Sequence, residues 1–368
     1  MDTTRLKTDV CGFLEHPGDD VRFGELALRM FRWHLDAMPK YRAFCLRRAA
    51  DPSRIDDWRK IPPLPVEAFR YAELSCSTPA AIAQRFSTSG TSGQKDPRRG
   101  RGVAAFDRAA LDVMDVAIRV NAARHLFPDQ LKCRIFVLAP RPEDVPHMIM
   151  AHGMRHLMSV FGDAQSAFVA SKDGLDVERL LEGLASATSD GVPVCLIGAS
   201  FAFVNLLDGL AASGRTVAAL PKHSRIMDAG GYKNRSRELT PEVFRELVGR
   251  AFGVPDSHLV NLLGMTELAS QIYDNALSDT GSDRVRCKTP PAWVRTRVVS
   301  IDDQTVDAKP GELGFLVHYD LANFSRPLAL ISDDLGYVVA GGFNITSRVK
   351  SSEPRGCSVS LDELWRQA

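Results

Sequence analysis

A short segment near residue 90 carries the residue types that bind phosphate. Residues 86–95 have the sequence FSTSGTSGQK, which holds two glycines, five hydroxyl side chains and a final lysine. Glycines let backbone N–H groups come close to an anion, hydroxyls add donors, and a lysine neutralises phosphate charge. The segment does not match the Walker A pattern GxxxxGK[ST], and its composition also suits a polar surface loop. The residues alone leave both interpretations open.

A threonine–glutamate pair follows the apolar run that starts at His258. Residues 263–267 are LGMTE, and α/β enzymes bind ligands just beyond strand ends. Thr266 could donate to a phosphate, and Glu267 could hold Mg²⁺ beside it. The alternative is the start of a helix, with Thr266 as the N-cap and Glu267 favourable at the helix dipole.

A pair of carboxylates interrupts the apolar run at residues 329–336, which are ALISDDLG. Asp334 could accept hydrogen bonds from the two hydroxyls of a ribose, and the alternative is an Asp-rich turn. His147, His152 and His156 lie within ten residues of one another. They do not match HExxH and bring no third ligand, so we expect no metal site there and interpret them as surface or pocket-lining residues.

The elements that must position these residues alternate between helix and strand over the first two-thirds of the chain. The patterns predict helices at 21–50, 104–126, 177–187, 201–210 and 241–252 and buried strands at 133–139, 193–198 and 258–263. Thr240 and Pro241 are suited to begin the last helix. This alternation is typical of a parallel sheet covered by helices, and short strands at 294–301 and 313–319 predict a distal antiparallel β region. We expect an α/β core over 1–290 and a β-rich closing sub-domain over 291–368.

Composition excludes several classes of protein. Lys and Arg number 46 against 45 Asp and Glu in 368 residues, which argues against a nucleic-acid partner. The seven cysteines are widely spaced without a CxxC, which argues against a disulfide framework or a cysteine zinc site. The N-terminus lacks the pattern of a signal peptide, and no run of ~18 apolar residues is present, so we expect a cytoplasmic protein without a membrane partner.

Five segments, in order along the chain, resemble the motifs of adenylate-forming enzymes. Residues 86–95 are similar to that family's phosphate loop, and residues 263–267 to its Tyr-Gly-x-Thr-Glu motif. Residues 311–314, 332–335 and 347–348 are similar to its Gly-Glu-Leu, Thr-Gly-Asp-Leu and Gly-Arg motifs. The lysine of the loop stands one position early, and Leu263 replaces the motif's tyrosine.

Four more segments resemble one branch, the acyl-protein synthetases of bacterial bioluminescence. They are 61–69 (IPPLPVEAF), 228–233 (DAGGYK), 262–273 (LLGMTELASQIY) and 353–358 (EPRGCS). The resemblance extends to a short adenylating enzyme of phenazine-antibiotic pathways. It implies the large N-terminal domain of adenylate-forming enzymes, with mixed sheets covered by helices and a distal antiparallel β region. The family's small C-terminal lid domain carries a catalytic lysine, and we expect the chain to lack that domain.

The resemblance also implies a site that uses ATP and Mg²⁺. Thr266 would contact the α-phosphate and Glu267 would hold Mg²⁺, while Asp334 and Arg348 would bind the ribose. Gly230 and Gly231 would lie against adenine with Met265 nearby. The β- and γ-phosphates would be held by Ser89, Gly90, Thr91, Ser92, Gly93 and Lys95.

The expected function is ATP-dependent activation of an aryl or fatty carboxylic acid as its acyl-adenylate, with release of pyrophosphate. The acyl group would pass to a thiol or to a partner reductase or acyl-acceptor enzyme. Cys357 lies where acyl-protein synthetases carry their acylated cysteine, whereas the alternative is a buried small residue. The rival hypothesis is a catalytically quiet nucleotide- or acyl-binding subunit of a biosynthetic or reductase complex.

Overall fold

The structure is a computed structural model that describes residues 2–49, 51–88, 101–232, 235–278, 281 and 285–348. The α-helices of these residues are α1 Thr3–Glu15, α2 Asp20–Ala37, α3 Pro39–Leu46, α4 Arg108–His125, α5 Ile149–Phe161, α6 Val177–Asp190, α7 Ser200–Ala212 and α8 Pro241–Phe252. The strands are β1 Leu64–Pro65, β2 Ile82–Ser87, β3 Val103–Asp107, β4 Arg134–Val137, β5 Ala167–Phe168, β6 Ala170–Ser171, β7 Gly174–Leu175, β8 Val194–Gly198, β9 Arg225–Ala229, β10 Leu259–Leu263, β11 Ile272–Asp274, β12 Lys288–Thr289, β13 Val294–Ser300, β14 Gly314–Asp320, β15 Ala329–Val339 and β16 Gly342–Arg348. Short 3-10 helices occur at Pro52–Arg54, Trp58–Lys60, Val66–Arg70, Pro79–Ala81 and Asp256–His258.

The chain packs as two compact units. The first unit contains Met1–Ala117, Met265–Ser270 and Thr289–Ala368, and the second contains Ile118–Gly264 and Gln271–Lys288. These packing units do not test the predicted division into residues 1–290 and 291–368, which stays a prediction.

The second unit is built on a parallel sheet. Strands β5, β4, β8, β9 and β10 run parallel in that order, and β11 pairs antiparallel with β10. All five residues of β8 and of β9 are buried, as expected for strands covered on both faces. Helices α7 and α8 contribute Phe203 and Phe244 to the apolar core, where their rings meet edge to face. The predicted parallel sheet is confirmed.

The first unit combines N-terminal helices with an antiparallel sheet. Strands β13, β14, β15 and β16 pair in sequence order, and β1 adds a short parallel edge to β15. The ring of Trp58 packs edge-on against Tyr319 of β14 and Phe23 of α2, which joins the helices to the sheet. The predicted distal antiparallel region is confirmed.

Two of the predicted helices differ from the structure. The helix predicted for 104–126 begins only at Arg108, because residues 103–107 form β3 and pair with β2. Ala104, Ala105 and Phe106 favour a helix by local pattern, but they are buried in this hairpin. The helix predicted for 21–50 divides at Met38, because Pro39 starts a new helix. Thr240 caps α8 with Pro241 at its first position, as predicted.

Candidate functional site

A network of buried hydrogen bonds holds the segment Met265–Ser270 within the first unit. The Asp320 carboxylate accepts from Ser270 N at 2.9 Å and from Ser270 Oγ at 2.8 Å. Trp293 Nε1 donates to the same Ser270 hydroxyl at 2.8 Å. Burial raises the pKa of the Asp320 carboxyl, while its hydrogen bonds from Ser270 and Ala322 oppose that shift. This network fixes the end of the segment that carries Thr266 and Glu267.

Asn323 fixes the middle of the same segment. Its Nδ2 donates to the carbonyl of Glu267 at 3.1 Å, and its Oδ1 accepts from Ala269 N at 2.8 Å. The side chain is fully buried, so these backbone groups have their partners inside the protein. The segment contains no helix. The alternative of a helix start with Thr266 as N-cap is therefore wrong, because side chains rather than a helix hold this backbone.

The β2–β3 hairpin places Thr88 of the hydroxyl-rich loop and Gly102 near the Glu267 carboxylate. Thr88 N donates to Gly102 O at 2.9 Å, and Gly102 N donates to Thr88 Oγ1 at 3.1 Å. A Cβ on Gly102 would lie 3.2 Å from Thr88 Cγ2 and 3.3 Å from Glu267 Oε1. Thr88, inside the predicted phosphate loop, and Gly102 therefore both lie near the predicted metal ligand.

Arg326 is a buried cation in this region that the sequence analysis missed. Its guanidinium lies 3.6 Å from the centroid of the Phe106 ring, and its Nη2 donates to Asn323 Oδ1 at 3.0 Å. Burial lowers the pKa of Arg326 to about 9, and the nearby carboxylates of Asp320 and Glu267 oppose that shift. No local motif marks this residue, because Phe106 and Glu267 lie far from it in the sequence.

The two predicted ribose-binding residues stand opposite each other in the antiparallel sheet of the first unit. Asp334 of β15 pairs in register with Arg348 of β16. Asp334 is buried, and its N–H donates to Ser332 Oγ at 3.2 Å. The alternative of an Asp-rich turn is wrong, since Asp334 lies inside an eleven-residue strand. The side chain of Arg348 lies outside the described residues.

The two predicted adenine-binding glycines follow β9 in the second unit. Gly230 has a φ of +77°, a left-handed conformation that favours glycine. Both glycines are exposed. The Ser200 hydroxyl, at the start of α7, lies 2.6 Å from the Gly230 carbonyl oxygen and 2.8 Å from Asp228 Oδ2. The turn is therefore tied to the adjacent helix.

A buried lysine completes the polar cluster below this turn. Lys288 Nζ donates to Asn261 O at 2.6 Å and also to Asn261 Oδ1. Asn261 Nδ2 in turn donates to Asp228 Oδ2 at 2.9 Å. Burial lowers the pKa of Lys288 to about 8, and Asp274 and Asp228 oppose that shift. The sequence analysis did not assign Lys288, whose partner Asn261 lies 27 residues away.

The remaining predicted site residues lie in different parts of the chain. Met265 is buried and Thr266 half-buried in the first unit. His147 is exposed just before α5, and within the described ranges no three His, Cys, Asp or Glu side chains gather as a metal-binding group. The predicted residues that lie outside the described ones are Ser89, Gly90, Thr91, Ser92, Gly93, Lys95 and Cys357.

Comparison with protein families decides how this arrangement is classified. A family model described as acyl-protein synthetase, LuxE, matches residues 18–365. The chain belongs to this family. Two relatives of this acyl-protein synthetase are named long-chain-fatty-acid–luciferin-component ligases. The protein from Vibrio harveyi is 23% identical over 91% of this chain and 86% of the relative, and that from Aliivibrio fischeri is 22% identical over 92% and 87%.

Solved structures show the same fold as this acyl-protein synthetase. An open conformation of 2-hydroxyisobutyryl-CoA ligase in complex with 2-HIB-AMP and CoA has a TM-score of 0.64 at 13% identity, over 94% of this chain and 79% of that one. The same ligase in its thioesterification state has a TM-score of 0.63 at 13% identity, over 95% and 70%. These likenesses show the fold of adenylate-forming enzymes.

The predicted function of the acyl-protein synthetase is confirmed at the level of the family. The protein is a ligase that activates a carboxylic acid with ATP through an acyl-adenylate, with onward transfer of the acyl group to a thiol or a partner. Among its described helices, none combines the length and the apolar character needed to cross a membrane. The resemblance to a phenazine-pathway enzyme stays a prediction.

Proposed function

We propose that Glu267 and Thr266 form the metal- and phosphate-binding centre of the adenylation reaction. The observation that carries this proposal is the position of Glu267, whose Oε1 lies beside Gly102, and Gly102 is hydrogen-bonded to Thr88 of the hydroxyl-rich loop. Asn323 Nδ2 donates to the Glu267 carbonyl, and Asp320 accepts from Ser270 N, so buried hydrogen bonds hold the segment Met265–Ser270 in place. A preorganised carboxylate loses little energy to reorganisation when charge develops nearby.

The residues of this centre suit Mg²⁺ as the metal. Carboxylate and hydroxyl oxygens are the donors that hard cations prefer, and Mg²⁺ is commonly bound by one or two carboxylates plus substrate phosphates. Glu267 would hold the ion, and the bound ion would neutralise charge on the phosphates. Ser89, Gly90, Thr91, Ser92, Gly93 and Lys95 would surround the β- and γ-phosphates.

The remaining predicted residues would bind the nucleoside. The register that sets Asp334 opposite Arg348 supports a shared role at the ribose hydroxyls. Gly230 and Gly231 would present a face without side chains to adenine. Glycine is suited to such a close approach, because it has no Cβ to collide with the ring.

The chemistry requires positioning more than proton transfer. A carboxylate is already anionic at neutral pH, so its oxygen attacks the α-phosphorus without a general base. The new O–P bond forms as the bond to pyrophosphate breaks, and pyrophosphate leaves with the electron pair. Thr266 would donate to the α-phosphate oxygen, where charge accumulates during the attack.

We propose that the acid is fatty and that its acceptor is the thiol of Cys357. The two bacterial relatives are named for long-chain fatty acids, which supports the fatty over the aryl alternative. In this step the Cys357 thiolate attacks the acyl carbon, a thioester forms, and the acyl–phosphate bond breaks to release AMP with its electron pair. Thiolates are strong nucleophiles, and thioesters stay reactive for onward transfer.

An exchange assay across a panel of acids tests this function. The protein is incubated with ATP, Mg²⁺, labelled pyrophosphate and either short, medium or long fatty acids or aromatic acids. We expect label to enter ATP only with an acid present, and most rapidly with a long-chain fatty acid. A protein that binds ATP yet exchanges no label with any acid would instead be the quiet nucleotide-binding subunit.

A further inference from the structure

A chain of buried hydrogen bonds in the second unit ends on the carbonyl of Gly230. Ser200 Oγ lies 2.6 Å from Gly230 O and 2.8 Å from Asp228 Oδ2. A hydroxyl has a single hydrogen, so it bridges these two acceptors rather than making two full bonds. Ser200 is buried, although the turn that it contacts is exposed.

The other side of Asp228 is held by a second pair of polar residues. Lys288 Nζ donates to both oxygens of Asn261, which fixes the Asn261 side-chain oxygen toward the lysine. The Asn261 Nδ2 group therefore faces Asp228 Oδ2, to which it donates at 2.9 Å. Asp228 cannot swing away from Ser200 without breaking this pairing.

The buried charges make this arrangement rigid. Burial raises the pKa of Asp228 and lowers that of Lys288 to about 8, and each residue opposes the shift of the other. Buried polar groups that lose a partner are costly, so a network whose members satisfy one another resists local opening.

We propose that Ser200 is a positioning residue for nucleotide binding, because its hydroxyl links the Gly230–Gly231 turn to the buried Asp228 carboxylate. The inference rests on the proposed placement of adenine at this turn. Two successive glycines have more backbone freedom than any other pair. A contact that holds the Gly230 carbonyl keeps the turn in one conformation, so less entropy is lost when the nucleotide binds.

The test compares two buried serines of the same unit. Ser200→Ala removes the α7 hydroxyl that contacts Asp228 and Gly230 at the carboxyl end of β9. Ser224→Ala removes a buried hydroxyl that accepts from Val194 N at 2.9 Å and lies immediately before β9. ATP affinity is measured by calorimetry, which requires no knowledge of the acid, and thermal unfolding is recorded for both variants.

Ser200→Ala should weaken ATP binding by about three- to tenfold, the range expected for one lost hydrogen bond. In the exchange assay it should raise KM for ATP and leave KM for the acid unchanged. Ser224→Ala should lower the melting temperature to a similar extent without changing ATP affinity. Equal ATP affinity in Ser200→Ala and the unchanged protein, or equal weakening in both variants, would overturn the positioning role.

A third variant separates this inference from the proposed function. A Cβ on Gly231 would meet no atom of the described residues within 4 Å, so Gly231→Ala tests adenine contact with little effect on the fold. If Gly231→Ala weakens ATP binding and Ser200→Ala does not, only the positioning role is wrong. If neither variant changes ATP affinity, adenine does not bind at this turn, and the proposed nucleotide site is wrong with it.

Discussion

Glu267 was predictable from its motif, whereas the residues that hold it were not. The Thr266–Glu267 pair follows an apolar run, and its resemblance to the Tyr-Gly-x-Thr-Glu motif selected it as a candidate. Asn323 and Asp320 hold the segment Met265–Ser270 from positions 50 or more residues away, and no spacing rule connects them. Gly102 is also a neighbour of the site that the sequence does not mark, because only the folded structure brings the Glu267 carboxylate next to it.

Gly102 provides a prediction about geometry. In Gly102→Ala the new methyl group would lie 3.2 Å from Thr88 Cγ2 and 3.3 Å from Glu267 Oε1, so these two side chains must shift by a few tenths of an ångström. Misplaced catalytic groups lose rate steeply, and we expect about a tenfold slower pyrophosphate exchange with little loss of stability. Gly209→Ala on α7 is the matched control, because its Cβ meets nothing within 4 Å in the described chain. Pyrophosphate exchange that is slowed equally in Gly102→Ala and Gly209→Ala would contradict this prediction.

Cys357 provides a prediction about the acyl acceptor. Burial raises the pKa of Cys45 to about 12 and that of Cys133 to about 11, which makes these thiols poor nucleophiles. After incubation with ATP and a long-chain fatty acid, mass spectrometry should detect a hydroxylamine-sensitive acyl adduct. The adduct should be absent in Cys357→Ser and retained in Cys11→Ser. An unmodified protein that nevertheless exchanges pyrophosphate would show that the acyl group leaves on another acceptor.

At the scale of elements, periodicity identified most of the described helices, but it identified only five of the sixteen described strands and not their pairing. The helix predicted over 104–126 was wrong at its start, since β3 gains more from pairing with β2 and burial than from local helix preference. The sequence placed Asp334 and Arg348 in separate motifs, and only the β15–β16 register set them opposite each other. Register depends on long-range pairing, which a single sequence does not display.

The segment Met265–Ser270 provides a prediction about one element. Asn323→Ala leaves the Glu267 carbonyl and Ala269 N–H without their buried partner, and each such group costs about 1–3 kcal/mol. We expect a clear loss of unfolding free energy together with slower exchange. Trp293→Phe, which removes a single hydrogen bond to Ser270, should cost only about 1 kcal/mol. Urea unfolding of both variants measures the difference, and equal losses would contradict the ranking.

At the scale of the whole molecule, buried histidines predict how stability depends on pH. Burial lowers the pKa of His34, His125 and His318 to about 4, below the value of about 6.5 in an unfolded chain. The unfolded chain therefore binds more protons between these two values. The part of the unfolding free energy that depends on these neutral histidines is fully present above pH 6.5. It is lost as the pH falls toward 4, by up to about 3 kcal/mol for each histidine.

Urea unfolding at pH 7.0, 6.0 and 5.0 measures this dependence. We expect the unfolding midpoint to fall steadily with pH, and to fall less steeply in His318→Gln, whose side chain does not titrate. An unfolding midpoint that stays constant between pH 7 and pH 5 would show that protonation of these histidines is not coupled to unfolding.

The central claim is that a preorganised Glu267 binds Mg²⁺ for acid adenylation, and the most direct test is the Mg²⁺ dependence of acid-dependent pyrophosphate exchange in Glu267→Gln. Glu312→Gln, an exposed carboxylate of the same unit, is the control. We predict that Glu267→Gln keeps its fold and requires more Mg²⁺. Its pyrophosphate exchange should be at least a hundredfold slower, because one lost electrostatic contact in a transition state costs about 10²–10³ in rate. Glu312→Gln should match the unchanged protein. A folded Glu267→Gln protein with normal exchange at normal Mg²⁺ would contradict the account.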